Sequence, residues 1–103
     1  MNIVESYEQF EFISKESKAL VVYFSATWCM PCKAVAPLLE ALIEEYKTVN
    51  FVKVDVDATP KIPTMFSVRG IPTILFIKDG KVLDQSVGAI SKSAITERLA
   101  KLV

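Results

Sequence analysis

Short apolar runs alternate with amphipathic stretches along this chain of 103 residues. Residues 20–24 are apolar or aromatic at every position, which is typical of a strand covered on both faces. Residues 51–57 alternate with period two, which also predicts a strand. Asp79 and Gly80 separate two further runs and favour a type I′ hairpin, a turn that needs positive φ at both central residues. The predicted strands are residues 2–5, 20–24, 51–57, 73–78 and 81–83.

The segments between these strands have the apolar spacing of helices. In the longest segment, apolar side chains from Leu38 to Tyr46 form one stripe opposite a charged face. Pro37 removes one backbone donor there, so we expect the helix to kink. Thr59 and Pro60 resemble an N-cap followed by proline at the first helical position. The predicted helices are residues 6–16, residues 30–47, a short turn from Thr59 to about Gly70, and a last helix capped by Ser91.

The order of these elements restricts the fold. Strands alternate with helices along most of the chain, an arrangement that favours parallel pairing, whereas the hairpin adds an antiparallel pair. The sheet should therefore be mixed, with helices on both faces. No linker-like, repetitive or low-complexity segment divides the sequence. We predict one α/β domain over residues 1–103.

The charge balance excludes several classes of partner. Twelve basic residues match twelve acidic ones, so no broad positive field is present to hold nucleic acid or an anionic membrane. No segment approaches the roughly 18 continuous apolar residues of a membrane span, and the N-terminal residues lack the pattern of a signal peptide. We expect a cytoplasmic, monomeric protein without nucleic-acid or membrane partners.

Cys29 and Cys32 are the only cysteines, and two residues separate them. Structural zinc and iron–sulfur sites normally need four ligands, and the chain has neither histidine nor a second cysteine pair. A structural disulfide that closes so small a loop adds little stability in the chain-entropy account. Two buried thiols without chemistry and a reactive pair remain as alternatives. We expect no metal, because the ligands are too few. We also expect no cofactor, since a Rossmann glycine pattern and a phosphate loop are both missing.

The position of Cys29 favours a reactive pair. It lies between a predicted central strand and the first turn of the longest helix, where unpaired N–H groups and the helix dipole stabilise an anion. A thiolate is such an anion, and it is the species that attacks a disulfide. Cys32 follows about one helical turn later, close enough to attack the resulting mixed disulfide. Pro31 suits the helix start because its missing N–H would have had no helical partner.

The segment from Phe24 to Lys33 resembles the active-site segment of the thioredoxin family. Further matches follow in the family's order and spacing, and the resemblance spans nearly the whole chain. It implies the thioredoxin fold, an α/β architecture with a five-stranded mixed sheet flanked by four helices. The further matching segments are residues 52–57, 69–73, 79–81 and 87–89, together with Pro37 at the position of the family's helix-kinking proline.

The resemblance also implies a function, that of a general protein-disulfide reductase that receives electrons from a thioredoxin reductase and passes them to client proteins with disulfides. Cys29 would be the attacking nucleophile and Cys32 the resolving thiol. Ile71 and Pro72 would be joined by a cis peptide bond beside the cysteines. An oxidant or isomerase of the same fold and a redox-independent binding module are the alternatives. The implied docking surface, flat and uncharged, consists of Trp28, Met30, Pro31, Ile71, Pro72, Gly88 and Ala89.

Two positions depart from the family pattern. Tyr23 stands where thioredoxins usually have a buried aspartate that helps to deprotonate the second cysteine. A phenol with an ordinary pKa near 10 is a poor base at neutral pH, so we expect Tyr23 to slow the resolving step. Water is one substitute, and Lys53 or Asp55 could approach the site, but the simpler interpretation of these two residues is a solvated polar face in which they are paired or hydrated. Met30 stands where glycine is common; we expect a reducing potential, because no basic cluster stabilises a Cys29 thiolate further.

Overall fold

The computed structural model of the protein describes residues Met1 to Val103. Its strands are β1 (Asn2–Val4), β2 (Ala19–Ser25), β3 (Asn50–Asp55), β4 (Thr73–Lys78) and β5 (Lys81–Val87). They form one sheet in the order β1-β3-β2-β4-β5. Strands β1, β3 and β2 are parallel to one another, whereas β4 runs antiparallel to both β2 and β5. The prediction of a five-stranded mixed sheet is confirmed.

Four helices cover the two faces of this sheet: α1 (Tyr7–Glu16), α2 (Met30–Glu45), α3 (Lys61–Met65) and α4 (Lys92–Leu99). Helices α2 and α4 pack on one face, and α1 and α3 pack on the other. Every residue of β2 is buried because this strand lies at the centre of the sheet and is covered on both sides. The continuous apolar run in the sequence is explained by this placement. None of the helices has both the length and the apolar character that a membrane crossing requires.

Serine caps begin the first and the last helix, as predicted. The Ser6 hydroxyl accepts a hydrogen bond from the Gln9 amide at 3.1 Å, and the Ser91 hydroxyl accepts one from the Ala94 amide at 3.2 Å. The Gln9 side chain in turn accepts from the amide of Glu5. These caps fix where α1 and α4 leave the preceding loops.

The predicted cap at Thr59 is wrong. Pro60 occupies the N-cap position of α3, and no side chain caps this short helix. The Thr59 hydroxyl instead donates to the backbone carbonyl of Asp55, one turn earlier. Thr59 therefore closes the turn between β3 and α3 instead of capping the helix.

Several predicted boundaries move: β3 ends at Asp55 rather than at residue 57, and α3 ends at Met65 rather than near Gly70. Strand β5 continues to Val87, four residues beyond the predicted end at residue 83, because the polar residues of this exposed edge strand pair with β4 along its length. Helix α2 ends at Glu45 rather than at residue 47. Pro37 lies inside α2 as expected, while the kink there stays a prediction. The hairpin is confirmed, since Asp79 and Gly80 have φ values of 50° and 81°.

Candidate functional site

Cys29 and Cys32 lie at the start of the longest helix, α2, which follows the central strand β2. Cys29 is the N-cap residue of α2, and a disulfide joins it to Cys32 with a Cα–Cα distance of 5.3 Å. The Cys32 amide donates to the Cys29 sulfur at 3.2 Å, so the sulfur occupies the place of an ordinary capping oxygen. Cys29 and Cys32 are only 3% and 2% exposed. The predicted position of the pair at a helix N-terminus is confirmed.

The surroundings of Cys29 favour a negative charge on its sulfur. The first turn of α2 contains Pro31 and no acidic residue, so the positive end of the helix dipole is not neutralised. A thiolate at this cap is stabilised by the Cys32 amide and by the dipole, which increases the share of Cys29 present as nucleophile. No group of three or more histidine, cysteine or acidic side chains is arranged to hold a metal ion. The reactive groups that the structure places at the start of α2 are the two sulfurs.

Tyr23 lies directly behind Cys32 and is 1% exposed. Its hydroxyl donates to the backbone carbonyl of Cys32, so the phenolic proton is used to fix the first turn of α2. Burial raises the pKa of the Tyr23 phenol above its ordinary value, and the neighbouring Ser25 hydroxyl opposes only part of that rise. Tyr23 is consequently neutral at neutral pH and positions Cys32 through the backbone.

A cavity of about 120 Å³ lies beside Cys32. Lys53 reaches it from β3, where it pairs in register with Tyr23 on β2, so that the two side chains lie on the same face of the sheet. Lys53 makes no ion pair and no hydrogen bond, although it is only partly exposed. The cavity is lined by Tyr23, Ser25, Ala26, Thr27, Cys32, Lys33, Ala36 and Lys53.

Asp55, unlike Lys53, does not line the cavity beside Cys32. Its carboxylate accepts hydrogen bonds from the amides of Asp57 and Ala58, at 2.9 and 3.3 Å, and so holds the turn after β3. No ion pair joins Lys53 to Asp55, so of the two forms expected for this polar face, paired or hydrated, the paired form is not seen. Of the two polar residues that the sequence offered, only Lys53 lines the cavity beside Cys32.

The Ile71–Pro72 peptide bond is cis, as the resemblance implied. The Gly88 amide donates to the Pro72 carbonyl at 2.8 Å, which joins the start of β4 to the end of β5. Gly88 has φ of 89°, a conformation that favours glycine. The neighbouring Thr73 pairs with the end of β2, so this corner lies at the same edge of the sheet as the cysteines.

The seven residues expected to form a docking surface differ in how much surface they offer. Trp28 and Met30 are 65% and 69% exposed, and Pro31 and Ala89 are also exposed. Ile71 and Gly88 are half-buried, whereas Pro72 is buried. The accessible members form an apolar area beside the disulfide, and Pro72 contributes the backbone geometry beneath it.

A shallow groove of about 260 Å³ continues this apolar area on the side of Trp28. The indole N–H of Trp28 donates to the Asp57 carboxylate at 2.8 Å, and Arg69 lines the same groove. The charged side chains of Asp57 and Arg69 thus border the expected docking surface, whose own residues are uncharged. Asp57 was missed because nothing in its local pattern connects it to a side chain 29 positions away. The groove is lined by Trp28, Val56, Pro60, Pro63, Thr64, Val68, Arg69 and Ile71.

Known proteins resemble this chain in both sequence and structure. The family model described as Thioredoxin matches residues 2–101. A thioredoxin of Chlamydia muridarum is 39% identical over 100 residues, covering 96% of this chain and 98% of the relative. One from Mycoplasmoides gallisepticum is 36% identical over 99 residues, covering 96% and 99%. Among solved structures, Plasmodium falciparum thioredoxin superposes with a TM-score of 0.93 at 32% identity over the whole of both chains.

Proposed function

The chain belongs to the thioredoxin family, and from this premise we propose that it reduces the disulfides of client proteins and is itself regenerated by a thioredoxin reductase. Membership in the family and the Cys29–Cys32 pair support thiol–disulfide oxidoreductase activity. We propose further that electrons flow from this protein to its clients and that the chain is a single domain. We also propose that it is a monomer and works in a reducing compartment such as the cytoplasm. The observation that carries the proposal is the place of the Cys29 sulfur at the N-cap of α2.

The first step is attack by Cys29. In the reduced protein its thiolate, stabilised by the Cys32 amide and the helix N-terminus, attacks one sulfur of the client disulfide. A bond forms between Cys29 and that sulfur, and the other client sulfur leaves as a thiolate that takes a proton from solvent. Because only a small part of Cys29 is accessible, the client disulfide has to approach over the exposed side chains of Trp28 and Met30.

The second step is resolution by Cys32. Its thiol loses a proton and attacks the Cys29 sulfur, which forms the disulfide seen in this structure and releases the second client sulfur as a thiolate. That thiolate takes up a proton equivalent to the one that Cys32 lost. Two electrons have then passed from the dithiol to the client. The hydrogen bond from Tyr23 to the Cys32 carbonyl keeps this residue within reach during the exchange.

Docking of the client is proposed to use the apolar area formed by Trp28, Met30, Pro31, Ile71, Gly88 and Ala89, with the cis bond to Pro72 shaping the corner below. An exposed apolar area of this kind selects little by charge, which suits a reductant with many clients. The groove that runs from Trp28 towards Arg69 offers further contacts to an extended segment of the client.

The orientation of Trp28 should matter for protein clients. Asp57→Ala removes the acceptor of the indole N–H, so we expect kcat/KM for a protein disulfide to fall about threefold, as for one exposed charge-assisted hydrogen bond. Asp57→Asn keeps an oxygen acceptor and should retain most of the activity. Reduction of a small aromatic disulfide, which needs no extended docking, is the control reaction. An equal loss on both substrates would contradict a role of Trp28 in docking.

The proposed function is tested by turnover of a protein disulfide such as that of insulin. With dithiothreitol as reductant, the protein should accelerate reduction at least about tenfold over dithiothreitol alone. With NADPH and a thioredoxin reductase in place of dithiothreitol, turnover should continue. The double variant Cys29→Ser/Cys32→Ser is the control for chemistry at other residues. Failure with the reductase, together with an oxidising potential against glutathione, would favour the oxidant or isomerase alternative.

A further inference from the structure

The cavity beside Cys32 contains polar groups that the two steps above leave without a role. The Ser25 hydroxyl is one of them: Ser25 is 2% exposed, and its oxygen makes no hydrogen bond of normal geometry, although it lies near enough to the Tyr23 phenol to lower the pKa of that group. Buried hydroxyls of this kind are normally satisfied, and a polar cavity of about 120 Å³ has room for water. Thr27 and Lys33 line the same cavity and are exposed, so the cavity opens towards solvent. Water can therefore reach Cys32 from this side.

The charges around this cavity all have the same sign. Lys53 faces it from β3 and Lys33 from α2, while the only titratable group that β2 contributes is the neutral Tyr23. No carboxylate lines the cavity, and Asp55 is engaged in the turn after β3. Lys53 is the less exposed of the two lysines and has no counter-ion. An unpaired ammonium group near a thiol stabilises the thiolate relative to the neutral thiol.

Tyr23 cannot accept the proton of the Cys32 thiol. Its own proton is donated to the Cys32 carbonyl, and its burial keeps the phenol neutral. Deprotonation of Cys32 in the resolving step therefore needs another route. Besides Tyr23 and Cys32, the polar side chains that line the cavity are Ser25, Thr27, Lys33 and Lys53. Ser25 and Lys53 are the two of these that are not exposed to solvent.

We propose that Ser25 and Lys53 are positioning residues for the resolving step, an inference that rests on the proposed function. Ser25 holds a water molecule in the cavity, and this water accepts the proton of the Cys32 thiol and passes it to solvent. Lys53 stabilises the thiolate that remains. The Cys32 sulfur then bonds to the Cys29 sulfur, the bond between Cys29 and the client breaks, and the departing client thiolate takes up one proton from solvent, so that protons and electrons balance.

The two residues have separable signatures, which makes the inference testable. Lys53→Gln removes the charge, so we expect the titration midpoint of the Cys32 thiol to rise by about 0.5 to 1 pH unit and the resolving rate at neutral pH to fall about three- to tenfold. Lys53→Arg should restore both values. Ser25→Ala removes the water ligand and should slow the resolving step about threefold while leaving the titration midpoint of Cys32 unchanged.

Both quantities can be measured directly. The Cys32 titration is followed by the chemical shift of its Cβ in the Cys29→Ser background, which removes the second thiol. The resolving rate is the release of thionitrobenzoate from its mixed disulfide with Cys29, recorded by stopped flow across neutral pH. Lys47→Gln, a change at an exposed lysine beyond the far end of α2, is the matched control and should leave both quantities unaltered.

Three outcomes would overturn the inference. A wild-type titration midpoint and resolving rate in Lys53→Gln would remove Lys53 from the mechanism. An equal effect of Lys33→Gln would show that Lys53 has no special place in the cavity. An unchanged rate in Ser25→Ala would exclude the water route. In each case the wild-type protein would still reduce insulin, whereas a wild-type protein that reduces no protein disulfide would contradict the proposed function itself.

Discussion

Cys29→Ser should abolish the acceleration of protein-disulfide reduction, so that the rate falls at least about tenfold, to that of dithiothreitol alone. A serine hydroxyl does not ionise at neutral pH and cannot form the mixed disulfide. Serine is nevertheless a preferred N-cap residue, so it can accept the hydrogen bond that the Cys29 sulfur accepts from the Cys32 amide. Thermal unfolding of the reduced variant should therefore resemble that of the reduced wild type. The measurement is insulin reduction, with the unfolding curve as control for the fold.

Cys32→Ser should block turnover at a different point. Cys29 still attacks, but no thiol follows, so the mixed disulfide with the client should accumulate and be visible by mass spectrometry. This variant separates the roles assigned to the two cysteines. Accumulation of a mixed disulfide in Cys29→Ser instead, or full activity of either single variant, would contradict the assignment of nucleophile and resolving thiol. Unchanged partner binding and cell function in Cys29→Ser would favour the redox-independent binding module.

Tyr23→Asp should have the second largest effect. It should lower the free energy of unfolding and raise the rate of the resolving step. Tyr23 fills the core at 1% exposure, so a smaller carboxyl group in its place leaves a cavity and a poorly solvated charge. We expect the free energy of unfolding to fall by about 3 kcal/mol or more. A carboxyl group whose pKa is raised by burial destabilises the folded state more as pH rises above the unfolded pKa, so this loss should be larger at neutral pH than in acid.

The same substitution should accelerate the resolving step. A carboxylate at position 23 would face the cavity that Cys32 lines and could accept its proton directly. Tyr23→Phe is the comparison, because it removes only the hydroxyl that binds the Cys32 carbonyl and should cost about 1 to 2 kcal/mol without supplying a base. Single-turnover reduction across neutral pH measures the effect. A Tyr23→Asp rate no faster than that of the wild type would show that proton removal from Cys32 does not limit the reaction.

Much of the fold could be predicted because local pattern and tertiary packing agree. The continuous apolar run of β2 is central in the sheet, and Ser6 and Ser91 cap the helices that follow them. Predictions failed where a polar residue had two possible partners. Thr59 can either cap a helix or close a turn, and in the structure its hydroxyl closes the turn by donating to the Asp55 carbonyl. The polar end of β5 has no apolar signal because it is an exposed edge strand.

The candidate site was predictable where it depends on neighbours along the chain. Cys29 and Cys32 lie within one helical turn of each other, so their geometry follows from the helix. The bond between Trp28 and Asp57 and the approach of Lys53 to the cavity both depend on how β3 pairs with β2. That register joins residues far apart in the sequence and is not encoded in any one segment.

The reacting sulfur of Cys29 is also the atom that caps α2, and this links reactivity to local folding. The Cys32 amide binds a thiolate more strongly than a thiol, so ionisation of Cys29 stabilises the first helical turn, and the intact turn in turn promotes ionisation. Fraying of that single turn would return Cys29 to the reactivity of an ordinary cysteine while the rest of the sheet stayed folded. The reactivity of Cys29 therefore lasts only as long as the opening turn of α2 stays folded.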